Sequence, residues 1–343
     1  MKVWIDLTSL PHVNFFRALI KRLENAGNEV MVTSREFGLM NGILDDNGIR
    51  HVSVGSHGGK DLEEKLVKSS ERLIELARLV SKEKPDLGLS KHSIECARVC
   101  FGLSIPSVMV IDHETAAKQT RLTAPLTDVV VTPDVTDVEK LRSYGAKDVE
   151  TFHGVCEVAH FRDFSPSDAV LGQLGLSKND TIIIARSEPL LASHNFHRSV
   201  LFQALSGIRK DVPDVKIVFI PRHTEDPEKY RGLDAIIPKS SIDTLSLYSF
   251  ASLMLGAGSC MNREAAIGGC PTISICPDRL PGVDRFLVEK GLMFHSLDSE
   301  EIVRKASSIL ASGRQRERNG KIASGFDDPY DAITKAMDSV MAK

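Results

Sequence analysis

Short apolar runs alternate with stretches of helical period along the whole chain, and that alternation leaves few folds open to it. Val3-Trp4-Ile5 gives way to a polar turn at Ser9-Leu10-Pro11-His12, after which Phe15, Phe16, Leu19, Ile20 and Leu23 recur at helical spacing. Gly27 closes that helix as a left-handed cap and Glu29-Val30-Met31-Val32-Thr33 supplies a second strand, so the chain opens on a βαβ unit. A long helix is predicted over Asp61 to Glu83, with Leu62, Leu66, Leu73, Leu76 and Leu79 as buried candidates. Pro85-Asp86 stops it before Leu87-Gly88-Leu89-Ser90. Ile94 to Phe101 reads as a helix, and Ser107 to Ile111 and Asp128 to Thr132 as strands.

Between His153 and about Ser167 the periodicity fails, which marks an irregular connection between domains. A second series follows: strands at Thr181–Ala185, Lys216–Ile220, Ile236-Ile237, Leu253–Leu255 and Pro271–Ile275, with helices at Ser199–Arg209, Ile242–Ser249, Glu300–Leu310 and Asp331–Met341. Strands separated by helices pair in parallel, and such sheets bind ligands at the carboxyl ends of strands where the topology reverses. The expected fold is α/β, two Rossmann-like domains whose parallel sheets face an interdomain cleft. Residues 1–160 would form the first domain, 161–326 the second, and 327–343 a last helix that crosses back to the first. A length of 343 residues suits two cores better than one.

Bulk properties exclude several functions. A net charge of -3 offers no basic excess to neutralise a phosphate backbone, so nucleic acid is not an expected partner. The opening residues lack the pattern of a signal peptide and no apolar run has the length of a membrane span, so a cytoplasmic protein is expected, with peripheral membrane contact still open. The six cysteines form no C-x-x-C pair and no zinc spacing, and they are expected to be buried reduced thiols. No D-x-D pair ends a strand, so neither a metal nor a cofactor is expected.

Chemistry concentrates in Leu253 to Ser274, LMLGAGSCMNREAAIGGCPTIS. A buried strand ends at Gly256-Ala257-Gly258 and opens a helix whose free N–H groups and dipole favour phosphate. Gly256, Gly258 and Ser259 become diphosphate contacts on this reading. Glu264 lies on the same helix, where its carboxylate either accepts hydrogen bonds from a ribose diol or is solvated. Arg263 either assists the phosphate or is a surface residue. Arg186-Ser187 after the strand TIIIA, with Glu188 beside them, and Arg222-His223 after KIVFI stand at further strand ends that can face the same ligand. In the N-terminal half, His12 is either a general base or a helix-capping residue. Asp112 and Glu114, flanking His113 after the strand SVMVI, either transfer protons or cap a helix that begins near Glu114 with Asp112 as its N-cap.

The spacing G-x-x-x-x-x-E-x-x-x-x-G-x-P, carried by Gly258, Glu264, Gly269 and Pro271, resembles the nucleotide-sugar signature of GT-B glycosyltransferases such as the lipid-II-forming N-acetylglucosaminyltransferase. With one residue less before the Glu it is also similar to the non-hydrolysing UDP-N-acetylglucosamine 2-epimerases. Pro221-Arg222-His223 resembles segments of sialic-acid-like sugar transferases and of the epimerases that face the nucleotide sugar, and His12 matches an acceptor-side histidine of GT-B transferases. Over its whole length the chain resembles a family of uncharacterised prokaryotic proteins, common in archaea, grouped with GT-B enzymes. W-I-D-L-T-x-x-P-H-V-x-F-F, R-L-T-A-P-L-T-D from Arg121 and G-V-C-E-V-A from Gly154 carry that likeness. The resemblance implies a GT-B fold and a metal-independent glycosyltransferase that takes a nucleotide-diphosphate sugar, uridine-linked, and an unknown acceptor as small-molecule partners. A sugar-nucleotide 2-epimerase and a non-catalytic nucleotide-sugar binder are the alternatives, and the oligomeric state stays open.

Overall fold

Twelve named strands, all paired in parallel, build two sheets in a computed structural model that describes residues 1–38, 40–59, 61–187, 199–221, 230–312 and 323–343. The first sheet takes β1 (Lys2–Asp6), β2 (Glu29–Glu36), β3 (Val52–Ser56), β4 (Leu87–Lys91), β5 (Ser107–Val110), β6 (Val129–Pro133) and β7 (Asp148–Phe152) in the order β3-β2-β1-β4-β5-β6-β7. The second takes β8 (Ile182–Arg186), β9 (Lys216–Ile220), β10 (Leu253–Gly256), β11 (Thr272–Ser274) and β12 (Met293–His295) in the order β12-β11-β10-β8-β9. Ile236, read as a strand in sequence, makes only an isolated bridge to Val218.

The chain divides into two compact units: Met1–Arg162 with Pro281–Val283 and Asp327–Lys343, and Asp163–Leu280 with Asp284–Phe326. In the first, β4, β5 and β6 are buried at every position, as sheets covered on both faces require. Helix α1 (Leu10–Asn25) lays Phe15, Phe16, Leu19 and Leu23 into the core that also takes Tyr330, Ile333, Met337 and Val340 of the helix Pro329–Met341. α2 (Met40–Asp46) follows β2 and contributes Met40 and Leu44 to that core.

Helix α3 (Leu62–Glu83) departs from the sequence reading. Leu62 and Leu66, expected inside, are 80% and 70% exposed, and the buried stripe is Arg72, Leu76 and Val80. A helix of 22 residues is about 33 Å long, whereas a five-residue strand spans about 17 Å, so the first turns of α3 outrun the sheet.

In the second unit Ile183, Ala185, Ile217, Phe219, Leu253, Leu255 and Ile273 form the sheet side of the core. The helices Val200–Asp211 and Ser299–Ser312 cover it with Leu201, Leu205, Ile208, Ile302 and Ile309.

Each sheet has one place where its strand order reverses: between β1 and β4 in the first, between β8 and β10 in the second. Adjacent crossovers leave to opposite faces there, which opens a crevice at the strands' carboxyl ends. Those two places carry most of the polar residues singled out in sequence.

Candidate functional site

At the reversal point of the second unit, β10 ends at Gly256, whose register partner on β8 is Arg186. A side chain at Gly256 has no room: a Cβ would run into Asn262 Oδ1, approach Met254 Cε to 2.7 Å and meet Arg186 Cβ at 3.4 Å. Asn262 folds back to donate from Nδ2 to the Gly256 carbonyl at 2.8 Å, pinning the strand-to-helix turn. Gly258 then takes the N-cap position of the helix Ser259–Ile267 in extended backbone and offers no side-chain cap, so the first amides of that helix have no capping oxygen from it.

Buried polar groups surround this turn. Ser259 Oγ donates to both oxygens of Asp284 at 2.6 and 2.7 Å, and Arg263 Nε lies 3.7 Å from Asp284 Oδ2. Arg263 and Asp284 are each 1% exposed, so neither alternative of a surface Arg263 nor a solvated Glu264 describes this helix. Glu264 is 4% exposed and accepts a hydrogen bond from Tyr248 Oη at 3.3 Å. Burial, then the neighbouring Glu264 carboxylate, push the Tyr248 phenol well above its usual range, which keeps it a donor. Arg186 donates from Nη1 to the carbonyl of Pro221 at 2.8 Å, so it ties the end of β8 to the end of β9, and Ser187 is buried just beyond it. Arg222, His223 and Glu188 lie outside the described residues.

In the first unit, the reversal point between β1 and β4 holds Asp6, the last residue of β1, and Lys91, the last of β4. Asp6 is fully buried and clamped by Arg72 through bonds of 2.6 and 3.1 Å, and it also accepts from Ser93 and Thr33. Burial alone would raise its pKa, but the Arg72 guanidinium and these donors hold it below the ordinary carboxylate range. Lys91, also buried, reaches Asp112 Oδ2 at 3.0 Å and lies 4.9 Å from the Phe15 ring centre. His113 Nε2 is 3.8 Å from Asp112 Oδ1. Between Lys91 and Ser93, His92 has φ 58°, in the left-handed region that is uncommon for a residue with a side chain. Ser93 caps α4 (Ile94–Leu103) by accepting from the Cys96 amide.

His12 sits half-buried in the first turn of α1. Burial, then the Lys91 ammonium, hold its pKa down at about 3, so the imidazole is neutral at pH 7. Its Nδ1 accepts from the Thr8 amide at 3.3 Å, which places the ring proton on Nε2. Asp112 is no helix cap. The next helix, α5 (Ala117–Thr123), starts later with Ala116 at its N-cap, because Asp112 is already engaged by Lys91. Glu114 points elsewhere: Oε1 accepts from the Gly282 amide at 3.1 Å, and Oε2, buried, has no hydrogen-bond partner among the described residues.

The structure therefore groups Gly256, Gly258, Ser259, Arg263 and Glu264 in one unit, with Arg186 and Ser187 on the next strand. It groups His12 and Asp112 in the other, and sets Glu114 apart on the Pro281–Val283 segment. Sequence reasoning missed Asp6, Arg72, Lys91, Tyr248 and Asp284. The legible signal was charge in an apolar context: Asp6 closes the run VWID, and Arg72 interrupts the stripe it shares with Leu76 and Val80. No disulfide joins the cysteines, and four of the six are buried as expected, but Cys260, in the opening turn of the Ser259–Ile267 helix, is exposed and Cys276 is half-buried. Among the described residues no set of three or more His, Cys, Asp or Glu is placed to hold a metal ion.

Residues 1–341 match a family described as "Protein of unknown function (DUF354)". The chain belongs to the DUF354 family. The uncharacterized protein MJ0665 of Methanocaldococcus jannaschii is 40% identical over 338 residues, 97% of this chain and 96% of that one. Among solved structures, this DUF354 protein is similar to the UDP-GlcNAc 2-epimerase of Neisseria meningitidis bound to UDP-GlcNAc, with a TM-score of 0.76, 13% identity and all of both chains covered. It is also similar to the spinosyn rhamnosyltransferase SpnG complexed with spinosyn aglycone, with a TM-score of 0.62, 13% identity, and 98% and 99% of the two chains covered. At these identities the likeness establishes the fold, two Rossmann-like units of GT-B type.

Proposed function

We propose that this protein is an enzyme of nucleotide sugars, a glycosyltransferase that takes the sugar from a nucleotide diphosphate, uridine-linked, to an acceptor. The observation that carries the reading is the uncapped start of the Ser259–Ile267 helix, at the reversal point of its sheet, with a buried carboxylate, Glu264, on the same helix. Helix N-terminal amides stabilise an anion through their unpaired N–H groups and the helix dipole. In this scheme the amides of Ser259, Cys260 and Met261 receive the diphosphate. The Ser259 hydroxyl does not, because Asp284 holds it, and Arg263 offsets the Asp284 charge that would otherwise repel an anion. Glu264, oriented by Tyr248, accepts from the ribose diol.

Transfer breaks the bond between the anomeric carbon and the diphosphate oxygen and forms one from the acceptor oxygen, whose proton must leave. Asp112 takes that proton in our reading. His12, with its proton on Nε2 and its Nδ1 turned to the Thr8 amide, serves as a neutral hydrogen-bond donor rather than as the base.

One observation favours a second reading: Asp112, Lys91 and His113 together can also exchange a carbon-bound proton, the step a 2-epimerase needs. The experiment is a thermal-shift screen with UDP, GDP, CMP, dTDP and their sugars, followed by product analysis of any ligand that binds. Stabilisation by UDP, weakened about tenfold or more in Glu264→Gln, is the expected result. Deuterium uptake from solvent next to the anomeric carbon, without acceptor, would mark the epimerase. Absence of any nucleotide-dependent shift at millimolar concentration would overturn both.

A further inference from the structure

The first unit contains a cavity of about 180 Å³ that the reaction above does not use. Its walls come from the ends of β2 and β3 and from the first turns of α3 and α4. That volume lies below the roughly 300–1,000 Å³ of pockets for drug-sized ligands, so it suits a charged group and a few attached atoms rather than a whole nucleotide sugar.

On the acidic side of the cavity one guanidinium serves two carboxylates, which leaves one negative charge over. Glu95 accepts from Ser69 Oγ at 2.8 Å and lies 3.5 Å from Arg72 Nη1, the same guanidinium that clamps Asp6. The two cations on the other side, Arg35 and Lys65, outnumber that charge by one: Arg35 feels the Glu95 carboxylate, but neither cation is in an ion pair among the described residues. Arg35 uses Nε on the Thr8 carbonyl at 2.8 Å and rests over the Phe37 ring, with no further hydrogen bond among the described residues. His57 stands beside both cations, and burial together with their field holds its pKa down. Its Nδ1 accepts from the Gly59 amide at 3.0 Å, so the neutral ring presents Nε2–H as a donor. The pocket thus offers a guanidinium fork, an exposed ammonium, an imidazole N–H and the Ser56 hydroxyl, a set that matches the three outer oxygens of a phosphate monoester.

We propose that this pocket binds the phosphate monoester of a small molecule, and that the phosphate is the charged group of the acceptor. The first part stands alone; the second rests on the transferase reading. The neighbouring residues support the link, because His92 and Ser93 line the pocket and directly follow Lys91, the partner of Asp112.

The test uses the full-length protein, titrated with glycerol 3-phosphate and glucose 6-phosphate, with glycerol and glucose as uncharged controls and inorganic phosphate as the minimal probe. The monoesters and phosphate are expected to bind and the parent alcohols not. Lys65→Gln, at an exposed position where folding is not at stake, and Arg35→Gln should each weaken binding tenfold or more, while Lys68→Gln on the same helix leaves it unchanged. Equal affinity in wild type and Lys65→Gln, equal losses in Lys65→Gln and Lys68→Gln, or no binding at millimolar concentration would overturn the proposal. UDP stabilisation is measured in parallel and should be the same in all three variants. Monoester binding that depends on Lys65 without UDP binding would sink the nucleotide-sugar reading and leave the pocket standing. In the transfer assay a phosphorylated acceptor should outrun its parent alcohol in wild type and lose that advantage in Lys65→Gln; equal rates in wild type would refute the acceptor assignment.

Discussion

Asp6 shows most directly how one residue commits this chain to its chemistry. An ionised carboxylate enclosed at the end of β1 is tolerable only because Arg72 and two hydroxyls complete its hydrogen bonds. Asp6→Asn removes the nearer carboxylate of a buried guanidinium, leaving only Glu95 at 3.5 Å, and should cost about 3–5 kcal/mol of stability in urea denaturation. The combined Asp6→Leu, Arg72→Met, Glu95→Gln variant should recover much of that loss, since it removes all three desolvated charges. Protonation gives a second residue-scale prediction. Burial holds His12 at about 3 and His92 at about 4, below the usual 6.5 of an unfolded chain. The unfolded state therefore binds more protons in the acid range. These groups contribute stability that is fully present above pH 6.5 and is lost as pH falls toward 4 and 3. The melting temperature of wild type should drop between pH 7 and pH 4, and His12→Gln and His92→Gln should each flatten that slope. An unchanged slope in both variants would contradict the buried neutral tautomers.

At the scale of elements, the turn from β10 into the Ser259–Ile267 helix is the most constrained part of the second unit. Gly256→Ala must displace Asn262 or Met254, so about 1–3 kcal/mol of destabilisation is expected from calorimetry, with weakened UDP binding as the helix start shifts. Much of this element was legible in sequence, because a glycine pair between an apolar strand and a helical pattern has a small number of geometries. Less legible was which polar residues the helix keeps for itself. Ser259 reads as a phosphate contact in one dimension; in three its hydroxyl belongs to Asp284, a residue 25 positions later. The same lesson applies to α3, where the apolar period marked Leu62 and Leu66 for burial although the sheet below ends before reaching them.

For the molecule as a whole, the last helix matters out of proportion to its length. Tyr330, Ile333, Ala336, Met337 and Val340 pack into the core of the first unit, and Tyr330 Oη donates to the Phe15 carbonyl at 2.6 Å. Truncation after Phe326 should therefore unfold or loosen the unit that begins at Met1, seen as loss of one melting transition and rapid proteolysis within residues 1–162. Retention of both transitions would show that the helix is dispensable. By itself the sequence determined the alternating α/β architecture, the two cores and the glycine turn after Leu255, because periodicity and glycine placement act over neighbouring residues. Only the tertiary structure decided that one guanidinium, Arg72, serves both Asp6 and Glu95, that Lys91 claims Asp112, and that Arg35 and Lys65 face a cavity. Charges compensate through space, between residues 66 positions apart at Asp6 and Arg72 and 306 apart at Arg22 and Asp328, and no local pattern records which partners the fold will bring within reach.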